Sequence, residues 1–268
     1  MLCSTQKKAL LFIQVFLLNF KCCYKMKWME GIILKLRSNK YAKTDDIVGV
    51  NFIKQSIKKG QTAIDIGAHK GGYLYLMLQL VGDSGQIVAF EPQSILFKYL
   101  MRMKTMFNWQ NVTIEHLALS DEEGEAKLLI PTNNISKASA PGATIVDNRE
   151  RNDIGFSEQV ATNSLDYYCE KYSIKPDFLK IDVEGNELPI FKGGINTLRK
   201  YKPKIYVECD AGYVGKEQVL ETFSFLMDLG YTASFINNLE RLPINQFDFE
   251  VHQNRVNGAF LCVNFIFE

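Results

Sequence analysis

The chain has 268 residues, of which 47% are apolar and 23% charged, and a net charge of +1. This excludes a small disulfide-stapled module, bulk disorder and a polytopic membrane protein. It also leaves no whole-chain field that would draw the protein to nucleic acid.

The charge is unevenly distributed. Residues 1–43 carry nine Lys/Arg and a single acid, Glu30, whereas the remaining 225 residues carry 22 Lys/Arg and 29 acids. A basic N-terminal helical arm (1–43) and a mildly acidic domain (44–268) are therefore read separately. In the arm, Ala9 to Phe20 is an almost unbroken apolar run flanked by Lys7, Lys8 and Lys21. It is shorter than the about 20 residues a membrane-spanning helix needs, and no small residues follow it at cleavage-site spacing. Met29, Ile32, Ile33 and Leu36 then recur at helical spacing among Lys27, Lys35 and Arg37. Three readings stand for the arm: helices packed on the domain, peripheral contact with an anionic membrane surface, or a signal or signal-anchor. None of the six cysteines (Cys3, Cys22, Cys23, Cys169, Cys209 and Cys262) forms a C-x-x-C pair. Zinc and dithiol chemistry thus lack support, and a reducing, cytoplasmic compartment fits.

From residue 61 onward, short β-rich runs alternate with helical stretches. Thr62–Gly67, Gln86–Glu91 and Val112–Leu119 read as the first three strands, with helices at Gly72–Leu80 and Ser94–Phe107 between them. Phe178–Val183, Lys204–Asp210, Tyr231–Asn237 and Gly258–Phe267 read as later strands, with helices at Ser164–Tyr172, Glu187–Leu198 and Lys216–Leu229. Such alternation implies an α/β fold with a mostly parallel sheet covered on both faces. No helical segment separates the last two strands, so that end is expected to be antiparallel. Gly124–Pro131 reads as an added β-ribbon, and the polar stretch 132–160 as a lid or substrate loop.

The first strand runs into Asp65-Ile66-Gly67-Ala68-His69-Lys70-Gly71-Gly72. The glycines lack the G-x-G-x-x-G spacing of dinucleotide binding. An acid at the strand tip repels pyrophosphate and favours a cation. Glu91 ends the second strand, 24 residues beyond Gly67. An acid at about that spacing can accept both ribose hydroxyls, and its combination with Asp65, Gly67 and Gly71 favours that role over simple helix capping.

On these residues the sequence resembles the FkbM-type methyltransferases. The resemblance rests on DIGAHKGGYLYLMLQLVGDSGQIVAFEP, NVTIEHLALSDEEGEAKL, FLKIDVEGNELPIFKGG and PKIYVEC, in that order, over roughly residues 45–210. It implies a class I methyltransferase, Rossmann-like sandwich with seven strands in the order 3-2-1-4-5-7-6, strand 7 being antiparallel. It implies S-adenosyl-L-methionine as cofactor, held by Asp65, Gly67, Ala68, His69, Gly71, Glu91, Pro92, Leu117 and Ala118. The family usually has Asn where this chain has His69. The resemblance also implies O-methylation of a hydroxyl on a small molecule or saccharide.

The expected strand tips carry Glu91, Asp65, Asp182 and Glu208, an acidic crevice suited to a cationic cofactor. In the fourth strand Lys180, Asp182 and Glu184 alternate and are expected to share one face. A buried lysine requires a partner, so these residues read either as a structural ion pair or as an array in which Asp182, Glu184 or Glu208 deprotonates the acceptor. No metal site is expected. His116 reads as a satisfied core histidine, His252 stays unassigned, and the tyrosines, phenylalanines and methionines read as packing. A catalytically silent binding protein and a nucleotide-dependent oxidoreductase are the competing functions. Nucleic acid is disfavoured as a partner because the basic residues lie in the arm.

Overall fold

The computed structural model describes residues 28–131, 143–145, 155–255 and 261–268. Cys3, Cys22, Cys23 and the apolar run Ala9 to Phe20 lie outside them. Helix α1 (28–40) passes through a short π-helical turn, Tyr41–Asp45, into α2 (Ile47–Ser56). Asp46 caps α2 by accepting a hydrogen bond from the Gly49 amide, as an aspartate at that position should.

Among the described residues, eight strands form the main sheet: β1 (Thr62–Ile66), β2 (Gln86–Phe90), β3 (Val112–Glu115), β8 (Phe178–Ile181), β9 (Lys204–Glu208), β10 (Ala233–Asn237), β11 (Glu240–Pro243) and β12 (Asn264–Phe267). Their order is β11-β10-β12-β9-β8-β1-β2-β3. This contains the expected 3-2-1-4-5-7-6 arrangement, with β12 antiparallel to both neighbours. The eighth strand, β11, was not expected. It returns along β10 through a two-residue turn in which Asn238 takes the left-handed conformation that Asn tolerates.

Period-two alternation gives the sheet its two cores. Ile64, Ile66, Leu179 and Ile181 face α5 (Leu165–Lys171), α6 (Glu187–Lys192), α7 (Ile195–Tyr201) and α9 (Lys216–Asp228). Ala63, Ile87, Ala89 and Phe178 face α2, α3 (Gly72–Val81) and α4 (Ser94–Phe107). The helix expected at Glu187–Leu198 divides into α6 and α7 at Gly193-Gly194. The close approach of Gly193 to the Ser120 carbonyl leaves no room for a side chain there.

Two expectations fail in the middle of the chain. Val112–Leu119 is not one strand: the backbone leaves the main sheet after Glu115, and β4 (Ala118–Ser120) pairs elsewhere. Nor is 132–160 a single loop. β6 (Thr144–Ile145) and β7 (Gly155–Ser164) join β4 and β5 (Gly124–Pro131) in a second sheet of order β4-β7-β5-β6. Its small core of Ala118, Leu128, Ile130 and Val160 gives β6 and β7 apolar packing despite the polarity around them. Residues 132–142 and 146–154 lie outside the described ones.

Candidate functional site

The β1–α3 loop is built by backbone conformation. Gly67 and Gly71 both have positive φ. A Cβ on Gly67 would collide with the carbonyl oxygen of Asp182, so glycine lets β1 and β8 converge there. Gly71 is the left-handed N-cap of α3, and a side chain at that position would meet Leu100 rather than a ligand. Ala68 is buried beneath the loop.

A first cavity opens beyond the ends of β1, β2 and β8. Ile66, Gly67, His69, Phe90, Glu91, Pro92, Gln93, Leu117, Ala118 and Leu119 form one side, and Asp182, Val183, Glu184 and Asn186 another. Leu128, Ala143 and Ile145 from the second sheet region close it. Glu91 is buried, and its carboxylate accepts hydrogen bonds from the His69 amide (2.6 Å) and the Gln93 amide (2.9 Å). Burial outweighs these bonds and raises its pKa to about 7. Burial, with Lys70 adjoining, lowers the His69 imidazole to about 4, so it is neutral at pH 7. Its buried Nε2 has no hydrogen-bond partner among the described residues.

A second cavity of about 190 Å³ lies beside the first, lined by Tyr41, Asp46, Tyr73, Lys180, Ile181, Asp182, Tyr206, Glu208 and Asn264. Its walls mix polar and apolar surface about equally. Tyr73 and Tyr206 both donate to Asp46 Oδ2, at 2.6 and 2.7 Å, and Tyr41 stacks on Tyr73. Desolvation raises the Asp46 carboxyl despite these bonds. Glu208 is pushed up to about 9 by burial and then by the Asp182 and Glu184 charges, so it is protonated at pH 7.

Lys180 lines the second cavity and lies behind the first. Its ammonium donates to Asp182 Oδ2 at 3.1 Å and to the Gly67 carbonyl at 3.5 Å, lies 3.8 Å from Asp65 Oδ1 and faces the Tyr73 ring. Parallel register aligns Asp65, Lys180 and Tyr206 on adjacent strands. The two carboxylates beside the lysine differ in access. Asp65 is wholly buried, whereas the Asp182 side chain is 32% exposed.

Several expected positions are corrected by this geometry. Asp65 lines neither cavity, because alternation along β1 turns it toward Lys180, on the face opposite Ile64 and Ile66. Glu184 does not share a strand face with Lys180. β8 ends at Ile181, and Glu184 stands in the following loop with φ of 56°. It still borders the first cavity. The four expected acids do not form one crevice: Glu91 faces the first cavity, Glu208 the second, Asp182 both and Asp65 neither. His116 is exposed rather than in the core, stacked on Phe97 with its Nε2 3.0 Å from the Pro92 carbonyl oxygen. Tyr41, Tyr73 and Tyr206 form the second cavity instead of simple packing. Their spacing is that of core residues, so no sequence signal separated them, and nothing in the sequence singled out Asp46.

The family model described as Methyltransferase FkbM domain matches residues 65–233. The chain belongs to the FkbM methyltransferase family. That membership removes the oxidoreductase alternative and makes S-adenosylmethionine the cofactor to fit. Among solved structures, the FkbM methyltransferase from Methylobacillus flagellatus KT superposes with a TM-score of 0.50 at 13% identity, covering 87% of this chain and 53% of that one. The chain therefore spans about half the length of that protein. A putative O-methyltransferase from Klebsiella pneumoniae is also similar (TM-score 0.44, 11% identity, 87% of this chain and 86% of that one). So is Aeropyrum pernix fibrillarin, solved with natively bound S-adenosyl-L-methionine (TM-score 0.41, 13% identity, 79% and 67%). Comparison with curated proteins found no match.

The first cavity fits the family's cofactor. Glu91 retains lone pairs for ribose hydroxyls, Phe90 and Leu117–Leu119 offer apolar surface to a flat base, and the partnerless His69 nitrogen suits a polar amino-acid end. Among the described residues no group of three or more His, Cys, Asp or Glu is placed to hold a metal ion. No described helix is long and apolar enough to cross a membrane.

Proposed function

We propose that the protein is an O-methyltransferase, with S-adenosylmethionine in the first cavity and a hydroxyl of a small molecule or saccharide presented from the second. One observation carries this reading: among the described residues, Asp182 alone lines both cavities. A group that must touch both the donor methyl and the acceptor belongs at such a junction.

Bound adenosylmethionine would supply an electrophilic methyl carbon, its bond to the sulfonium sulfur breaking to leave a neutral thioether. Asp182, partly solvated and reachable, accepts a hydrogen bond from the acceptor hydroxyl and takes its proton as the new C–O bond forms. Lys180 holds the Asp182 carboxylate in place through the 3.1 Å bond. Protonated Glu208, the Tyr206 hydroxyl and Asn264 provide donors and acceptors for the remaining hydroxyls of a polar substrate. The carboxylates around this cavity favour neutral or cationic acceptors and oppose a phosphate backbone, so nucleic acid is not the proposed acceptor.

Asp182→Asn tests the assignment. Turnover with a panel of sugars and hydroxylated small molecules should fall by about 10²–10⁴ while cofactor affinity changes little. Because Asp182 is partly exposed and Asp65 remains beside Lys180, the variant should stay folded. Undiminished turnover in a folded variant would reject Asp182 as the base. Failure of the wild type to bind adenosylmethionine would reject the donor site itself.

A further inference from the structure

We propose that the outward face of α1 is a docking surface for an anionic lipid bilayer. The fold covers the inward side of α1 with one buried leucine and polar contacts, and leaves the helix's apolar stripe outward. On the inward side Leu34 is fully buried. Glu30 bonds Arg102 and Tyr99 on α4, while Arg37 donates to the Tyr99 hydroxyl and the Lys70 carbonyl. These contacts hold the helix against α4 and the glycine loop. At 100° per residue, Trp28, Met29, Ile32, Ile33 and Leu36 fall on the other side. All five are exposed, from 37% at Ile32 and Ile33 to 60% at Leu36 and 64% at Trp28. A helix lying on a globular domain ordinarily turns polar residues outward.

Charge identifies the occupant. Residues 28–43 and 94–107, which include α1 and α4, hold seven Lys/Arg and one acid, whereas the whole chain is nearly balanced at 31 against 30. The one acid, Glu30, is already paired with Arg102. An apolar face among basic residues complements an anionic bilayer. The same charge opposes self-association through this face, since two copies would bring like charges together. Trp28 at one end of the stripe has the amphipathic ring that settles at headgroup depth, and Lys35 can extend its ammonium to the phosphates while its stem lies along the apolar side. The helix would lie on the membrane rather than cross it.

The test uses the full chain and vesicles of phosphatidylcholine, with or without about 30 mol% phosphatidylglycerol. Co-sedimentation should require the anionic lipid and weaken about tenfold or more when salt rises from about 0.1 to about 0.5 M. Of the two tryptophans, Trp109 is buried, at 9% exposure, so a blue shift of emission on vesicle addition reports Trp28. Ile32→Ser/Ile33→Ser/Leu36→Ser, which touches no inward contact, should reduce binding about tenfold or more without lowering the melting temperature. Lys35→Glu should weaken binding by charge alone and guards against misfolding of the triple variant.

Absence of binding to anionic vesicles would overturn the proposal. So would binding that the variants leave unchanged, which would move the contact to another segment such as the apolar run Ala9 to Phe20. Trp28 emission already shifted and indifferent to lipid would show the face covered by protein. A dimer abolished by the triple variant, without lipid binding, would assign the face to a second copy.

Discussion

Lys180→Met isolates the ion network shared by the two cavities. At an effective dielectric of about 20, the Lys180 contacts with Asp182 (3.1 Å) and Asp65 (3.8 Å) amount to about 5 and about 4 kcal/mol of attraction. The net loss is smaller, because both carboxylates can respond. Asp182 is exposed enough to be screened by water, and Asp65 can take up a proton. The Asp65 carboxyl is already raised to about 6 by burial, with Lys180 the main opposing influence, so removing the lysine raises it further. Losing one partner of a buried pair typically costs about 3–5 kcal/mol. For a domain of this size, that lowers the melting temperature by about 6–20 °C at pH 7.5.

The pH dependence is specific. A carboxyl whose folded pKa is raised contributes stability that is present below its unfolded pKa, near 3.8, and is lost as pH rises through the folded value. Below about pH 6 Asp65 is protonated in wild type and variant alike, so the difference between them should shrink at pH 5. Asp65→Asn added to Lys180→Met removes the stranded carboxylate and should restore at least about 2 kcal/mol at pH 7.5, within the usual range of coupling between touching residues. Urea and thermal melts of wild type, Lys180→Met, Asp65→Asn and the double variant at both pH values measure all of this. A Lys180→Met penalty equal at pH 5 and 7.5, or no rescue by Asp65→Asn, would refute the network as described.

Glu91→Ala should weaken adenosylmethionine binding by about 1.5–3 kcal/mol, the loss of hydrogen bonds to a charged acceptor, as read by titration calorimetry. Gly67→Ala should destabilise by more than the about 1–2 kcal/mol of left-handed backbone strain, because its Cβ also meets the Asp182 carbonyl; melting temperature and soluble yield report it. Glu208→Gln should change stability by less than about 1 kcal/mol near pH 4, where the carboxyl is protonated in the folded chain and largely so in the unfolded one and the amide imitates it, and it should be stabilising at pH 7, where only the unfolded wild-type carboxyl is ionised. Since burial raises the Glu208 pKa from 4.5 to about 9, wild type should lose stability progressively as pH climbs between those two values while the variant does not.

Much of the fold was legible because it is local. Alternation in Thr62–Ile66, Gln86–Phe90 and Phe178–Ile181, helical spacing between them, and the positive-φ glycines at Gly67 and Gly71 are properties of short segments. The spacing from Gly67 to Glu91 marked both as site residues, and the structure places both in the wall of one cavity. The second sheet was hidden by composition. Polarity suggested a loop at 155–160, yet β7 pairs along the whole of β5 and needs only a small apolar core.

The division of labour among the acids was decided by tertiary structure alone. Asp65, Asp182, Glu184 and Glu208 are alike in sequence, each an acid near a strand end. Register across strands far apart in the chain aligns Asp65 with Lys180 and Tyr206 in a dry row, and the end of β8 at Ile181 frees Asp182 to face two cavities. Helix α2 brings Asp46 to Tyr206 across 160 positions of chain. Local sequence determines which face of a strand is buried. Which buried groups meet depends on how distant strands pair, and on this pairing rests the difference between a structural counter-ion and a candidate base.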